Sequence, residues 1–152
     1  MIVTIWIALA LFVAGEFRRP WLFLAGAILA AAHLAWAMQD VYGWDHGAAI
    51  EATARQTQAV FGVNWGGGVF VNYAFVGVWI ADAIARIAAP ALRSRAVTWT
   101  LRAFYFVIIV NAAVIFALPR RRWLGVVICA LILLAWAMQD QIKNITQRRR
   151  EC

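Results

Sequence analysis

The sequence predicts an all-α polytopic membrane protein with five transmembrane helices, and three observations carry this prediction. First, 65% of the 152 residues are hydrophobic and only 14% are charged, against roughly 45–50% and about 25% in soluble proteins. Second, the apolar residues form five long runs with Trp or Tyr near most of their ends, as an aromatic belt requires. Third, the basic residues stand mainly at the ends of those runs. A soluble fold of this length is excluded, because a domain of about 150 residues buries only about 70% of its chain surface.

The predicted helices follow one another along the chain. The first covers residues 2–15 and is short, because it spans only about 21 Å of a hydrocarbon core roughly 30 Å thick. A secretory signal would have a basic residue before its apolar run, and no basic residue precedes this helix. We therefore expect this segment to be retained as a helix. The other four cover residues 21–38, 66–89, 99–118 and 123–138, and a proline stops the third and the fourth.

The long connection after the second helix contains a predicted interfacial helix. Residues 48–60 contain no Pro or Gly, their apolar residues recur at helical spacing, and Glu51 and Arg55 form an i,i+4 pair. The segment is too polar to span, so we expect it to lie on the membrane surface. The chain is then one membrane domain, divided into a first hairpin (1–40), an extracytoplasmic loop with the interfacial helix (41–64), a central helix (65–90), a second hairpin (91–140) and a basic cytoplasmic tail (141–152).

An internal repeat supports the division into hairpins. The sequence Leu-Ala-Trp-Ala-Met-Gln-Asp occurs at residues 34–40 and again at residues 134–140, and residues 18–22 loosely resemble residues 120–124. A single helix separates the two hairpins, and an odd spacer inverts the second copy. Inverted repeats are typical of transporters, whose sites lie near the midplane between the halves. The alternative is the duplication of a stable hairpin with no transport role.

The net charge of +7 indicates topology. The basic residues lie at helix ends rather than on an aromatic and basic soluble face, so we expect no nucleic-acid partner. With the N-terminus outside, ten basic residues lie inside and four outside. We therefore expect a bacterial inner-membrane protein with a cytoplasmic C-terminus. The run Arg120–Arg122 does not fit this orientation unless the second hairpin is inverted.

The histidines form one group of candidate site residues. His33 is the ionisable residue inside the second predicted helix, and such a residue is a functional hypothesis by default. His33 and His46, with Asp45 or Glu51, are candidate ligands of a metal ion or a haem, although their spacing matches no known ligand motif. The alternatives are a neutral His33 that forms a hydrogen bond across the bundle and an Asp45 that caps the interfacial helix.

A polar stripe on the central helix forms the second group. Asn72, Asp82 and Arg86 share one face at 100° per residue, and Arg102 lies near the start of the following helix. One interpretation is a structural ion pair between Asp82 and Arg86 that Arg102 joins, because an Asp in a membrane segment is costly unless it is paired. The other is a polar path between the hairpins. The predicted interface residues are Trp36, Asp40, Trp44 and Trp136.

The chain contains no hydrolase, kinase or metalloprotease motif, and the sequence favours a protein that is not an enzyme. Its short loops and abundant aromatic residues favour an assembly or accessory subunit of a membrane complex, or a homo-oligomer. The alternatives are a small transporter or channel built from inverted hairpins, and a haem-binding or metal-binding redox subunit. The expected partners are the lipid bilayer and other membrane subunits or further copies of the chain.

Overall fold

The described part of the chain forms a bundle of six α-helices. This computed structural model describes residues 2–17 and 19–151, without the side chains of residues 2, 92, 143, 144 and 146–151, and the described residues contain no strand. The helices are α1 (Ile2–Glu16), α2 (Pro20–Tyr42), α3 (His46–Phe61), α4 (Gly68–Ala88), α5 (Arg95–Val110) and α6 (Arg122–Glu151). A π-helical turn, Asn111–Ile115, continues α5, and short 3-10 turns occupy Pro90–Leu92 and Pro119–Arg121.

Four segments of the described chain are long and apolar enough to cross a membrane. They are Pro20–Tyr42, Gly68–Ala88, Arg95–Ile115 and Pro119–Ile142. The apolar segment of α1, Val3–Glu16, is shorter. The protein is thus an α-helical membrane protein with four candidate spans, and the crossing by α1 stays a prediction.

The interfacial segment forms the separate helix α3, with a cap at each end. The side chain of Asp45 accepts a hydrogen bond of 3.1 Å from the backbone N–H of Ala48, which satisfies one free donor of the first turn. At the other end Gly62 adopts a φ of 73°, a left-handed conformation that glycine adopts at little cost. α3 packs on α2 and α4 through Ala49, which contacts Met38 and Val69.

The two ends of the bundle differ in chemistry. At one end, Glu16 at the end of α1, Pro20 at the start of α2 and Arg86 near the end of α4 lie around one cavity, with Gln139 of α6. We call this the arginine end. α3 covers the opposite end, which we call the α3 end.

Five aromatic side chains fill the core between these ends, and we call them the aromatic plug. Their ring centroids lie between 4.9 and 6.1 Å apart in pairs that mostly meet edge to face, a favoured geometry for aromatic contacts. The indole N–H of Trp79 donates to the backbone oxygen of Phe23 at 3.1 Å. The plug consists of Phe12, Phe23, Phe75, Trp79 and Tyr105.

A contact between the start of α6 and the end of α5 gives a structural role to Arg122, which belongs to the basic run Arg120–Arg122. The guanidinium of Arg122 donates to the backbone oxygens of Ala117 at 3.3 Å and Ile115 at 3.5 Å. These carbonyls follow the last α-helical turn of α5. Arg122 therefore acts as a cap for the end of α5, as basic side chains do at helix C-termini.

Candidate functional site

A network of charged side chains joins four helices at the arginine end. α1 contributes one acidic residue, and α4 contributes an acidic and a basic residue. One further residue comes from each of three other segments: α5, α6 and the linker between α4 and α5. Because several of these groups are buried, their charges are costly unless each has a partner. The members are Glu16, Asp82, Arg86, Arg93, Arg102 and Asp140.

Arg86 lies at the centre of this network. Its Nη2 atom lies 2.7 Å from Oε1 of Glu16 and 3.0 Å from Oδ2 of Asp82. Its guanidinium also lies over the ring of Phe23, 3.5 Å from the centroid, a cation–π contact that is strongest when it is shielded from water. Arg86 therefore joins α1 to α4 and rests directly on the aromatic plug.

Asp82 connects the network to the plug and to the linker after α4. The hydroxyl of Tyr105 donates to its Oδ2 at 3.2 Å. Nε of Arg93 lies 3.1 Å from Oδ1 of Asp82, but the two atoms are not aligned for a hydrogen bond. The same is true of Oε1 of Glu16 and the guanidinium of Arg86. These two ion pairs are thus held by charge and proximity, whereas the pair of Arg86 and Asp82 is also hydrogen-bonded.

Arg102 has a different partner from the one expected. Its Nη1 donates to both carboxylate oxygens of Asp140, at 3.1 and 3.0 Å, and its Nη2 donates to Oε1 of Gln139 at 2.9 Å. The expectation that Arg102 joins Asp82 is corrected in this way, because Arg86 and Arg93 already occupy that carboxylate.

Trp136 and Gln139 tie α6 to α1. The indole N–H of Trp136 donates to Oε2 of Glu16 at 2.9 Å. The amide of Gln139 donates to the backbone oxygen of the same residue and, at 3.2 Å, to Oε2. Trp136 is only 6% exposed, so its side chain lies inside the bundle, and its assignment to an interface stays a prediction. The cause of this burial is the acceptor on α1, which holds the indole N–H in the interior.

The two copies of the repeated heptapeptide lie in different environments. Trp36 is 51% exposed and Trp136 is buried. Asp40 lies on the surface of the α3 end, whereas Asp140 is bound to Arg102 at the arginine end. The predicted interface residue Trp44 is also exposed, and its indole donates to the side chain of Gln39. Identical sequences thus occupy opposite ends of the bundle, and the origin of the two copies by duplication stays a prediction.

Sequence reasoning missed Glu16 and Arg93. Both stand next to an apolar run, where they look like ordinary charges at a membrane boundary. The signal in the sequence was Glu16, an acidic residue close to the boundary arginines Arg18 and Arg19. A carboxylate at such a position can pair with a buried cation. Only the packing of α1 against α6 and α4 shows which cation it meets.

The arginine end contains a cavity of about 370 Å³, which we call the arginine cavity. Burial, and after it the positive charge of Arg86, lower the pKa of Arg93 below its usual value. Arg93 is thus a partly buried cation on the wall of the cavity. The residues that line it include Glu16, Pro20, Arg86, Arg93, Thr98, Arg102 and Gln139.

Two further cavities, which we call the α3 cavities, lie beneath α3. Their volumes are about 360 and 420 Å³, and both are lined by Thr53, Asn72, Ile108 and Ala112. His33 lines the first and Asn111, in the π-helical turn, lines the second. The two cavities therefore adjoin each other around the Asn72 side chain.

The predicted polar stripe on the central helix is divided between the two ends. Asn72 lines the α3 cavities, and Asp82 lies in the charged network about 15 Å farther along the axis of α4. Trp79 of the aromatic plug is fully buried between them. In this conformation the stripe is not a continuous polar path.

The two histidines have different surroundings. Nδ1 of His33 lies 2.8 Å from the hydroxyl oxygen of Thr4, which joins α2 to α1. His46 is exposed at the start of α3, where its Nδ1 lies 3.2 Å from the backbone oxygen of Trp44. His33 thus makes the contact across the bundle that the sequence left as one of its two alternatives.

The remaining ligand candidates are engaged within α3. Asp45 caps that helix, and Glu51 forms an ion pair of 2.5 Å with Arg55. Among the residues whose side chains are described, no group of three or more His, Cys, Asp or Glu side chains could hold a metal ion. The metal and haem interpretation therefore stays a prediction without a clustered ligand set.

Comparisons with known proteins identify no relative. No protein-family model and no curated protein match the sequence, and no solved structure matches the fold. The fold and the site define an α-helical membrane protein with a charged network at one end and cavities at the other.

Proposed function

We propose that the protein is a small membrane transporter in a conformation whose α3 end admits solute and whose arginine end is closed. One observation carries this proposal. Cavities with polar groups lie at the α3 end, and the aromatic plug and then the charged network lie between them and the opposite end. Transporters need such an arrangement, because a solute site must be closed from one side while it is open to the other.

The lining of the α3 cavities suits a small solute with both polar and apolar parts. Most of the first cavity is apolar, and its polar groups belong to His33, Tyr42, Thr53, Asn72 and Tyr73. This combination is typical of sites for small molecules, in which a few polar groups orient a ligand held by apolar contact. Asn111 adds an amide in a π-helical turn, a distortion that often marks functional positions.

The charged network has the properties of a gate. It joins α1, α4, α5 and α6 through ion pairs that can be exchanged for water when the helices separate. Tyr105 belongs to the plug and also donates to Asp82. A movement that opens the network would therefore displace the plug, which is the coupling that alternating access requires.

The test is solute entry into proteoliposomes that contain the full chain. Stopped-flow light scattering would follow the uptake of glycerol, urea, glycine and inorganic phosphate. We expect protein-dependent uptake of at least one of these, reduced about tenfold by Asn72→Leu and unchanged by Asn64→Leu, an exposed position between α3 and α4. No uptake above that of empty vesicles, or equal uptake by both variants, would contradict the proposal.

The second candidate is the assembly or accessory subunit, and exposed apolar side chains outside the candidate spans favour it. Trp44, Phe61, Val63 and Trp65 are all exposed between α2 and α4. Such a patch marks contact with a partner subunit or with the membrane surface. Native mass spectrometry of protein released directly from membranes separates these functions. A strict monomer without partners supports the transporter, and a stable hetero-oligomer without solute uptake supports the subunit.

A further inference from the structure

We propose that the arginine cavity binds a phosphate group, carried either by an anionic lipid headgroup or by free phosphate. The proposal does not depend on transport, because it concerns a binding site at the arginine end. Its basis is the set of free donors and the position of the cavity at the membrane boundary.

The free donors belong to arginines whose other atoms are fixed. Nε of Arg93 faces Asp82, and the two terminal nitrogens of Arg93 make no hydrogen bond with another described residue. Nη1 of Arg86 likewise makes none there, because Glu16 and Asp82 contact its Nη2 and Nε. A guanidinium held at one edge presents the other edge as a planar fork that matches phosphate oxygens.

Helix ends do not supply a net charge to the cavity. Pro20 and Thr98 belong to the first turns of α2 and α5, whereas Glu16 and Arg86 belong to the last turns of α1 and α4, and all four line the cavity. The partial charges of helix N-termini and C-termini have opposite signs, so they largely cancel here. The attraction for an anion therefore depends on the free N–H donors of Arg93 and Arg86.

The position of the cavity fits a headgroup. Trp21 follows Pro20 and is 68% exposed, and Trp99 follows Thr98 and is 49% exposed. Exposed tryptophans at helix ends lie at the level of lipid headgroups, so the residues that line the cavity stand at that level too. Basic pockets between transmembrane helices at this level bind anionic headgroups.

The experiment compares the purified full chain with two variants of matched charge. Arg93→Gln removes the free fork, and Arg95→Gln removes an exposed arginine two residues away. Native mass spectrometry would measure retention of phosphatidylglycerol against phosphatidylcholine at equal concentration. Thermal unfolding would measure the shift caused by inorganic phosphate against the same concentration of chloride. If Arg93→Gln does not fold, Arg93→Lys takes its place as the comparison variant. The wild-type measurements remain valid in either case.

Two results support the proposal and distinguish the source of phosphate. Selective retention of phosphatidylglycerol, weakened at least about tenfold in Arg93→Gln and unchanged in Arg95→Gln, identifies a lipid headgroup. A phosphate-dependent rise in Tm without lipid selectivity, lost in Arg93→Gln alone, identifies free phosphate. The proposal is overturned if the wild type shows neither effect, or if both variants lose binding equally, because the cause is then general surface charge.

Discussion

Arg102 and Asp140 form an ion pair whose two members differ in their access to water. The side chain of Arg102 is 4% exposed and that of Asp140 is 37% exposed. Removal of one member of a buried pair costs most when the remaining charge cannot be hydrated. The buried cation therefore depends on the carboxylate more than the carboxylate depends on the cation.

We expect Asp140→Ala to destabilise the protein by about 2–4 kcal/mol, because it leaves a buried guanidinium without its counter-charge. Arg102→Met should cost less, since water can reach the remaining carboxylate. Unfolding in detergent measures both values. The matched control is Asp40→Ala, the same position in the other heptapeptide, which is exposed and should change stability by no more than about 0.5 kcal/mol. Equal losses in Asp140→Ala and Asp40→Ala would show that the pair contributes nothing.

The two tryptophans of the repeat provide a second matched comparison. Trp136→Phe removes the donor to Glu16 and should cost about 1–2 kcal/mol, because the acceptor is a buried carboxylate. Trp36→Phe removes an indole that lies on the bundle surface and should be close to neutral. The same unfolding assay checks both, and a larger loss for Trp36→Phe would contradict the assignment of the two environments.

The polar residues within the apolar helices are visible in the sequence, but their partners could not be predicted from it. The proximity of Asp82 and Arg86 follows from helical spacing alone. The contacts of Glu16 with Arg86 and Trp136 join positions far apart in the chain. Such contacts depend on which helix faces meet, and one sequence contains no direct record of that.

The helices α5 and α6 approach each other at a glycine. A Cβ atom at Gly125 would lie 2.0 Å from the backbone oxygen of Ala113, in the π-helical turn. That distance excludes any side chain unless the backbones separate. The close crossing thus requires glycine at position 125. Small residues allow membrane helices to approach closely in the same way at other helix crossings.

Gly125→Ala should therefore destabilise the protein by about 1–3 kcal/mol, because the two helices must move apart. Gly77 lies inside α4 with nothing within 4 Å of a Cβ atom, so Gly77→Ala should leave stability unchanged or raise it by up to about 1 kcal/mol. Thermal unfolding in detergent compares them. A neutral Gly125→Ala variant would mean that the crossing is not close in solution.

Helices with local signals were predicted well. α3 lies between Asp45 and Gly62, which the sequence shows as a capping residue and a glycine around a helical stretch without breakers. α6 extends to Glu151, through the segment expected to be a tail, because no Gly or Pro follows Gly125. The π-helical turn has no signal in the sequence, since it arises where α5 packs against α6.

In the whole molecule, the arginine end and the α3 end lie at opposite ends of the helix bundle, and we propose that they face opposite sides of the membrane. Hydropathy alone predicted the membrane class, and the orientation inferred from the arginines stays a prediction. The cavities and the plug could not be predicted, because they depend on how all the helices pack together.

The crossing by α1 can be tested by cysteine labelling from each side of the membrane, in a background with both native cysteines replaced. If α1 crosses, Val3→Cys reacts from the same side as Asn64→Cys, and Ser94→Cys reacts from the other. The positive-inside rule further predicts that Ser94→Cys faces the cytoplasm. Labelling of Val3→Cys and Ser94→Cys from one side would show that α1 does not cross.

The central claim is that the α3 cavities and the arginine cavity open to opposite sides and are separated by the aromatic plug. The most direct measurement is labelling of Asn72→Cys and Thr98→Cys with a membrane-impermeant maleimide, added to either face of oriented proteoliposomes. We expect Asn72→Cys to react only from the side of α3 and Thr98→Cys to react only from the other side. Reaction of both positions from the same side, or an Asn72→Cys that reacts from neither, would contradict it.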